Sequence, residues 1–193
     1  WGFAGSVTAA LFLRRFADHP RYMHFDIYGH TPADLPARPK GGVGQGARAA
    51  ELMDAMQVRL QVIQTAAASL PRRPRVFFEE WDEPHISAIR WVSELVRMAG
   101  GDDCFPELAL QPMGKDRIVA DTAEIVRRNP DIIIGSWCGK KFRPEKVAAR
   151  AGWENVNAVK YAQIFEIKSC DILQPGPAAL TDGVEQLHRI IMD

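Results

Sequence analysis

Asp131-Ile132-Ile133-Ile134-Gly135-Ser136 (DIIIGS) is an apolar run of strand length, entered from Asn129-Pro130. A strand with one wet face would alternate apolar and polar residues, so consecutive isoleucines belong where helices cover both faces of a sheet. Reading backward, Arg75 to Glu80 (RVFFEE) has the same strand character, and reading forward, Gln163 to Ile167 supplies a third strand. Helical periodicity fills the intervals. His85 to Ala99 sets Ile86, Ile89, Val92, Val96 and Ala99 on one side and stops at Gly100-Gly101. Val119 to Arg128 stops at Asn129-Pro130, and Pro144 opens a helix running through Lys146 to Arg150. Ala178 to Met192 turns Leu180, Val184, Leu187 and Ile191 toward the core. Strands alternating with helices predict an α/β fold: a mainly parallel sheet flanked by helices, joined by right-handed crossovers. No internal repeat is visible.

Upstream lies a long helical pattern, Gln45 to Leu70, apolar at Leu52, Met56, Leu60 and Ile63 and stopped by Pro71 and Pro74. It reads as a connecting helix. Before it the sequence changes character. Ser6 to Phe16 is helix-like, Tyr22 to Tyr28 (YMHFDIY) alternates like a strand, and His30 to Gly46 carries Pro32, Pro36, Pro39 and four glycines. That last segment cannot be helix and as strand could only be an edge. The expected division is an appendage over 1–44, a connecting helix over 45–70 and an α/β lobe over 71–193.

Composition narrows the function. The chain has 193 residues, 47% hydrophobic and 25% charged, a soluble globular profile with enough length for a core. Its 24 Lys and Arg balance 24 Asp and Glu, which argues against nucleic acid as a partner. No apolar run reaches the roughly 18 residues of a membrane span, the longest, Ala4 to Phe16, being broken by Arg14 and Arg15, so direct membrane insertion is not expected. Cys104, Cys138 and Cys170 form neither a disulfide framework nor a zinc spacing. The chain opens on Trp1 without a recognisable signal peptide, and reads as a piece of something longer.

In an open parallel sheet, ligands lie beyond the carboxyl ends of the strands. Three segments hold that place: Trp81-Asp82-Glu83-Pro84, Trp137-Cys138-Gly139-Lys140-Lys141, and Ser169 to Pro177 (SCDILQPGP). Two begin with tryptophan, which at a strand end is either a packing plug or a platform for a large flat ligand. Trp91 and Trp153 read as packing residues. Cys138 lacks a histidine in a partner position, and no catalytic residue or metal site is expected. His85 reads as a cap or surface residue, and Glu79, Glu80, Asp82 and Glu83 as a solvated rim. The glycines form no phosphate-binding pattern. Pro175-Gly176-Pro177 reads as a tight turn presenting backbone amides to the cleft.

The stretches RPRVFFEEWDEPHISAIRWVSELVRMAGGDDCF, NPDIIIGSWCGKKFRPEKVAARAGW and EIKSCDILQPGPAALTDGVEQLHRII resemble the carboxyl-terminal lobe of cobalamin-binding proteins of ABC transporters, over residues 57 to 193. These belong to the helical-backbone class of substrate-binding proteins, in which one long helix joins two Rossmann-like lobes that clasp the ligand. The resemblance implies a non-catalytic protein binding cobalamin or a related corrinoid, with no covalent cofactor. It places ligand contacts on Trp81, Trp137, Lys140, Ser169, Gln174 and Pro175. It places docking to the transporter permease on Asp121 or Glu124. The amino-terminal lobe has no counterpart here. A periplasmic location follows if the chain behaves as its family does, and a cytoplasmic one if it is made without a signal peptide.

Trp1 to about Ala50 is similar to something else. GFAGSVTAALFLRRF and YMHFDIYGHTPADLPARPKGG resemble the carboxyl-terminal end of two-zinc leucyl aminopeptidases, whose metal-binding Lys, Asp and Glu lie upstream of the matching segment. Peptide hydrolysis there needs metal-activated water, so the resemblance implies an inactive fragment, and His24 and Asp26 are read as structural. The alternatives to ligand binding are this fragment and a fusion product without independent function.

Overall fold

The structure is a computed structural model that describes residues 30–31, 41–42, 45–174 and 176–193, with side chains from residue 50 onward. The expected helix Ser6 to Phe16, the strand Tyr22 to Tyr28, His24, Asp26 and Pro175 lie outside the described residues. The chain divides into two compact units, Trp1–Met53 and Asp54–Asp193. In the first, β1 (His30–Thr31) and β2 (Gly41–Gly42) form a two-residue antiparallel ladder within the Pro- and Gly-rich segment. The helix α1 runs Gln45–Ala67.

The second unit is built on one mainly parallel sheet. Strand β3 (Arg75–Asp82) pairs in parallel with β6 (Ile132–Gly135), which pairs in parallel with β7 (Ile164–Glu166). The other edge of β3 is shared by β5 (Asp102–Asp103), parallel beside its start, and β4 (His85–Ser87), antiparallel beside its end. Around the sheet stand α2 (Arg90–Ala99), α3 (Thr122–Arg128), α4 (Pro144–Ala148), α5 (Asn157–Lys160), α6 (Ser169–Ile172) and α7 (Val184–Met192).

The consecutive apolar residues are sorted to the two faces by the period of two of a strand. Val76, Phe78, Ile132 and Ile134 join Ile63 of α1, Val92 and Val96 of α2 and Leu187 and Ile191 of α7 in one core. Phe77 and Ile133 join Phe105, Trp137, Phe142, Val147 and Trp153 in the other. The ring of Phe77 meets Phe105 and Trp153 edge-on, with centroids 5.6 and 6.3 Å apart. Both faces are dry, which is why DIIIGS needs no polar residue until it leaves the sheet.

Three expectations are corrected. His85 does not begin a helix: the chain turns back after Asp82 and His85–Ser87 pairs with β3, and helix starts only at Arg90. The pairing carries a register shift between Glu79 and Trp81, a bulge that leaves Glu80 as the extra residue. Its carboxylate accepts the backbone N–H of Ile89, at the position just before α2. The last helix is not one regular cylinder, because Ala179–Gly183 is a π-helical turn feeding α7. The wider turn shifts the helical phase, and Leu180, expected in the core, is 38% exposed. Leu52, also expected on an apolar stripe, is exposed, whereas Met56 and Ile63 are buried.

Candidate functional site

At the carboxyl ends of β3 and β6 lies a pocket of about 590 Å³ whose walls include Asp82, His85, Trp137, Lys140, Lys146 and Arg150. Two of the strand-end segments marked in the sequence meet here. The Lys140 ammonium lies 5.5 Å from the Trp81 ring centroid and 5.3 Å from that of Trp137, within cation–π range of both. It is anchored by Asp82, whose carboxylate accepts at 2.6 and 2.8 Å. This pair sits at the rim, with the lysine half-exposed and the aspartate largely covered. The indole N–H of Trp81 donates to the Glu83 carbonyl at 3.0 Å and fixes the half-buried ring at the strand end, where it packs on the core and is not itself part of the pocket wall.

Trp137 takes a different position. It is only 5% exposed, packs edge-on against Phe142 at 4.7 Å and donates its indole N–H to Glu79 at 3.1 Å. It forms the pocket floor and presents an edge to it. Gly135, two residues earlier, makes this packing possible, since a Cβ there would fall 1.9 Å from the Phe142 ring.

The two glutamates of EEWD are no solvated rim. Glu79 is fully buried and continues the face that Phe77 begins. Both oxygens are bound by the Arg150 guanidinium, at 2.9 and 3.0 Å, and Nδ1 of His85 lies 2.8 Å from Oε1. A buried carboxylate requires this degree of pairing. Glu80 pairs with Arg117, itself 3% exposed. Burial pushes the Glu80 carboxyl up, against the pull of the guanidinium. Sequence reasoning missed Glu79, His85 and Arg150 as site residues. The signal was present in part: a glutamate two residues beyond a buried phenylalanine faces the same way and demands a cation.

The third segment stays apart from the pocket. Ser169 opens α6 and Gln174 is exposed just beyond it, and neither belongs to the pocket wall. Strand β7 is only three residues long, and the chain turns at once into α6, where the Ile172 carbonyl accepts the indole N–H of Trp91 at 3.1 Å. Pro175, between them and the π-helical turn, is outside the described residues.

Asp121 caps α3 by accepting the Ala123 N–H at 2.9 Å, and Arg127 bridges Asp121 and Glu124. Hydrogen bonds from Arg127 and from the Ala123 amide hold the Asp121 carboxyl below its usual range; Arg128 and Arg127 do the same for Glu124. Cys138 is exposed at the turn after β6, and among the described residues no three His, Cys, Asp or Glu side chains gather to hold a metal ion.

The sequence profile of the periplasmic binding protein family matches residues 42–170. The chain belongs to that family. The uncharacterized ABC transporter substrate-binding lipoprotein YvrC of Bacillus subtilis is 26% identical over 158 residues, covering 77% of this chain and 46% of the relative. The chain resembles solved structures at the level of the fold. A periplasmic solute-binding protein of Staphylococcus epidermidis superposes with a TM-score of 0.62 at 22% identity, covering 76% of this chain and 56% of that one. The vitamin B12-binding protein BtuF of Vibrio cholerae gives 0.52 at 22% identity, covering 70% and 50%. The heme-complexed IsdE of Staphylococcus aureus gives 0.60 at 21%, covering 76% and 58%. The chain thus spans about half the length of the relatives it matches. The family is one of non-catalytic solute-binding proteins, so the chain is read as no enzyme. A separate match, to the probable cytosol aminopeptidase 1 of Shewanella oneidensis, is 45% identical over 49 residues, 24% of this chain and 10% of that protein. It is too short a share of that protein to assign its activity.

Proposed function

We propose that this chain carries a ligand-binding lobe of an ABC-transporter substrate-binding protein, and that its ligand is a cobalamin-type corrinoid. The observation that carries the reading is the Trp81–Lys140–Trp137 cluster at the strand ends, in which Trp137 and Lys140 line a pocket of about 590 Å³ and Trp81 stands next to it, on the other side of the lysine. Trp81 offers its half-buried ring to a flat apolar surface, while Lys140, Lys146 and Asp82 meet polar groups at the ligand's edge. Trp137 acts from below, holding the floor. Ser169 and Gln174 are the more distant contacts, reached only by a ligand that extends past the pocket wall, and Pro175, outside the described residues, is the remaining proposed contact. The permease of an ABC transporter is the proposed second partner, engaging the exposed end of α3 at Asp121 and Glu124.

The test is calorimetric titration of the whole chain with cyanocobalamin, with hemin and a ferric hydroxamate as competitors for the same site. The expected result is saturable heat and quenched tryptophan fluorescence with cyanocobalamin. Replacement Trp81→Ala is expected to weaken binding about tenfold or more, the loss of a buried aromatic contact worth about 1.4 kcal/mol. No heat and no quenching with cyanocobalamin, or undiminished affinity in W81A, would sink the corrinoid reading.

A further inference from the structure

Among the described residues three Lys and Arg side chains, Lys140, Lys146 and Arg150, line the strand-end pocket, and two of them are already engaged. Lys140 holds both oxygens of Asp82, at 2.8 and 2.6 Å, and Arg150 holds both oxygens of Glu79, at 2.9 and 3.0 Å. Glu79 is fully buried, and the Asp82 side chain is only 12% exposed. A ligand carboxylate that drew either cation to itself would leave a covered carboxylate without its counter-ion, and an abandoned buried charge costs more than a rim contact returns. The third cation, Lys146, is exposed on α4, and the exposed Glu83 stands on the same wall. With Glu79 behind that wall, three carboxylates balance the three cations. The pocket is rich in charge and offers an incoming ligand no net one.

An amide meets such a pair differently. Its carbonyl accepts from an ammonium and its N–H donates to a carboxylate, so one amide can bridge Lys140 and Asp82 without separating them. The ammonium has a third N–H beyond its two contacts with Asp82, and each carboxylate oxygen has two lone pairs. The lysine is also held in direction, 5.5 and 5.3 Å from the ring centroids of Trp81 and Trp137, which limits its freedom to swing toward an anion elsewhere. We propose that the Asp82–Lys140 pair makes this pocket select a macrocycle rimmed with neutral amides against one rimmed with carboxylates, with Asp82 as the specificity-determining residue. This rests on the reading of the pocket as the site of a corrinoid-type ligand and adds the charge class of that ligand's rim. The selection comes less from attraction to the right cargo than from the penalty set against the wrong one.

The experiment titrates the whole chain calorimetrically near neutral pH with dicyanocobinamide and dicyanocobyrinic acid, which share one corrin ring and carry amides and carboxylates, respectively, at its rim. The native chain should bind the amide form about tenfold or more tightly. Asp82→Asn, which keeps the size of the side chain and releases Lys140, should tighten the carboxylate form about tenfold, weaken the amide form and so close the gap. A merely structural role for Asp82 would weaken both forms alike. Lys140→Gln should open the gap further, because Asp82 then faces the rim unbalanced, and if D82N fails to fold this variant decides. Binding of the carboxylate form as tight as that of the amide form, or an unchanged ratio in D82N or K140Q, overturns the selection and leaves the corrinoid reading standing. Absence of binding by both forms overturns it together with the proposed function.

Discussion

Asp131 shows how much one side chain at the foot of the sheet can carry. It accepts from the Arg72 guanidinium, the Arg75 backbone N–H and the Asn157 amide, each at 2.9 Å. Burial works against its charge, but the hydrogen bonds from Arg72, the Arg75 amide and Asn157 outweigh that cost and hold the carboxyl well below the usual carboxylate range. A folded-state value below the unfolded one means that the contribution is fully present above the ordinary aspartate value and is lost as pH falls through the depressed one. The stability gap between the native chain and Asp131→Asn should thus be constant from about pH 7 to pH 5 and narrow below about pH 4. Urea denaturation at stepped pH measures it; a gap unchanged down to about pH 2 would contradict the role given to Asp131. Glu79 is the same lesson at the other end of the sheet. Its identity was plain, but its partner Arg150 lies 71 positions away and only the fold joins them.

Elements decide how the site is held. Strand β6 ends at Gly135, and the turn that follows carries Trp137 and Lys140 before Phe142 folds back over the glycine. Any side chain at 135 displaces the Phe142 ring, which packs against Trp137. Gly135→Ala should cost about 1–3 kcal/mol by overpacking and disturb the tryptophan fluorescence of the pocket floor. Thermal or urea unfolding checks the first and an emission spectrum the second, with unchanged values in both ruling out this packing argument. The β3–β4 hairpin was the element that the sequence hid. Ile86 and Ile89 fit a helical stripe as well as they fit a short strand leading into one, and only pairing with Trp81 and Asp82 chose between them. The π-helical turn at Ala179–Gly183 was hidden for a related reason, since one added residue in a turn leaves the composition of a helix intact while rotating Leu180 outward.

At the scale of the unit Asp54–Asp193, the two cores are separated by a single sheet, and Cys104 lies in the one beneath the pocket. Its thiol is pushed up to about 12, first by burial and next by the charge of Asp103, against Arg75 and Arg128. Reaction requires thiolate and access, and Cys104 has neither until the core opens. Cys138 and Cys170 are exposed, and the hydrogen bond between Cys170 and Asp171 pushes the second of these up. Alkylation of the native chain near neutral pH should modify Cys138 first, Cys170 more slowly and Cys104 only at the rate of unfolding. Mass mapping over time reads this order, and early labelling of Cys104 would show that this core is not closed.

The sequence by itself determined the α/β architecture, because isoleucines without a polar break fit only a strand covered on both faces, and the helices between strands require parallel crossovers. It also determined that Trp81, Trp137 and Lys140 would lie at strand ends, since topology alone puts them there. The tertiary structure decided where each of them sits. It buried Trp137, placed Lys140 between its ring and that of Trp81, and kept Trp81, Ser169 and Gln174 off the pocket wall. It also brought Glu79, His85 and Arg150 together from separate elements. Patterning reports which face a residue must turn toward, through the cost of wetting apolar surface. Pairing between buried charges depends on distances across the fold, and no local pattern records them.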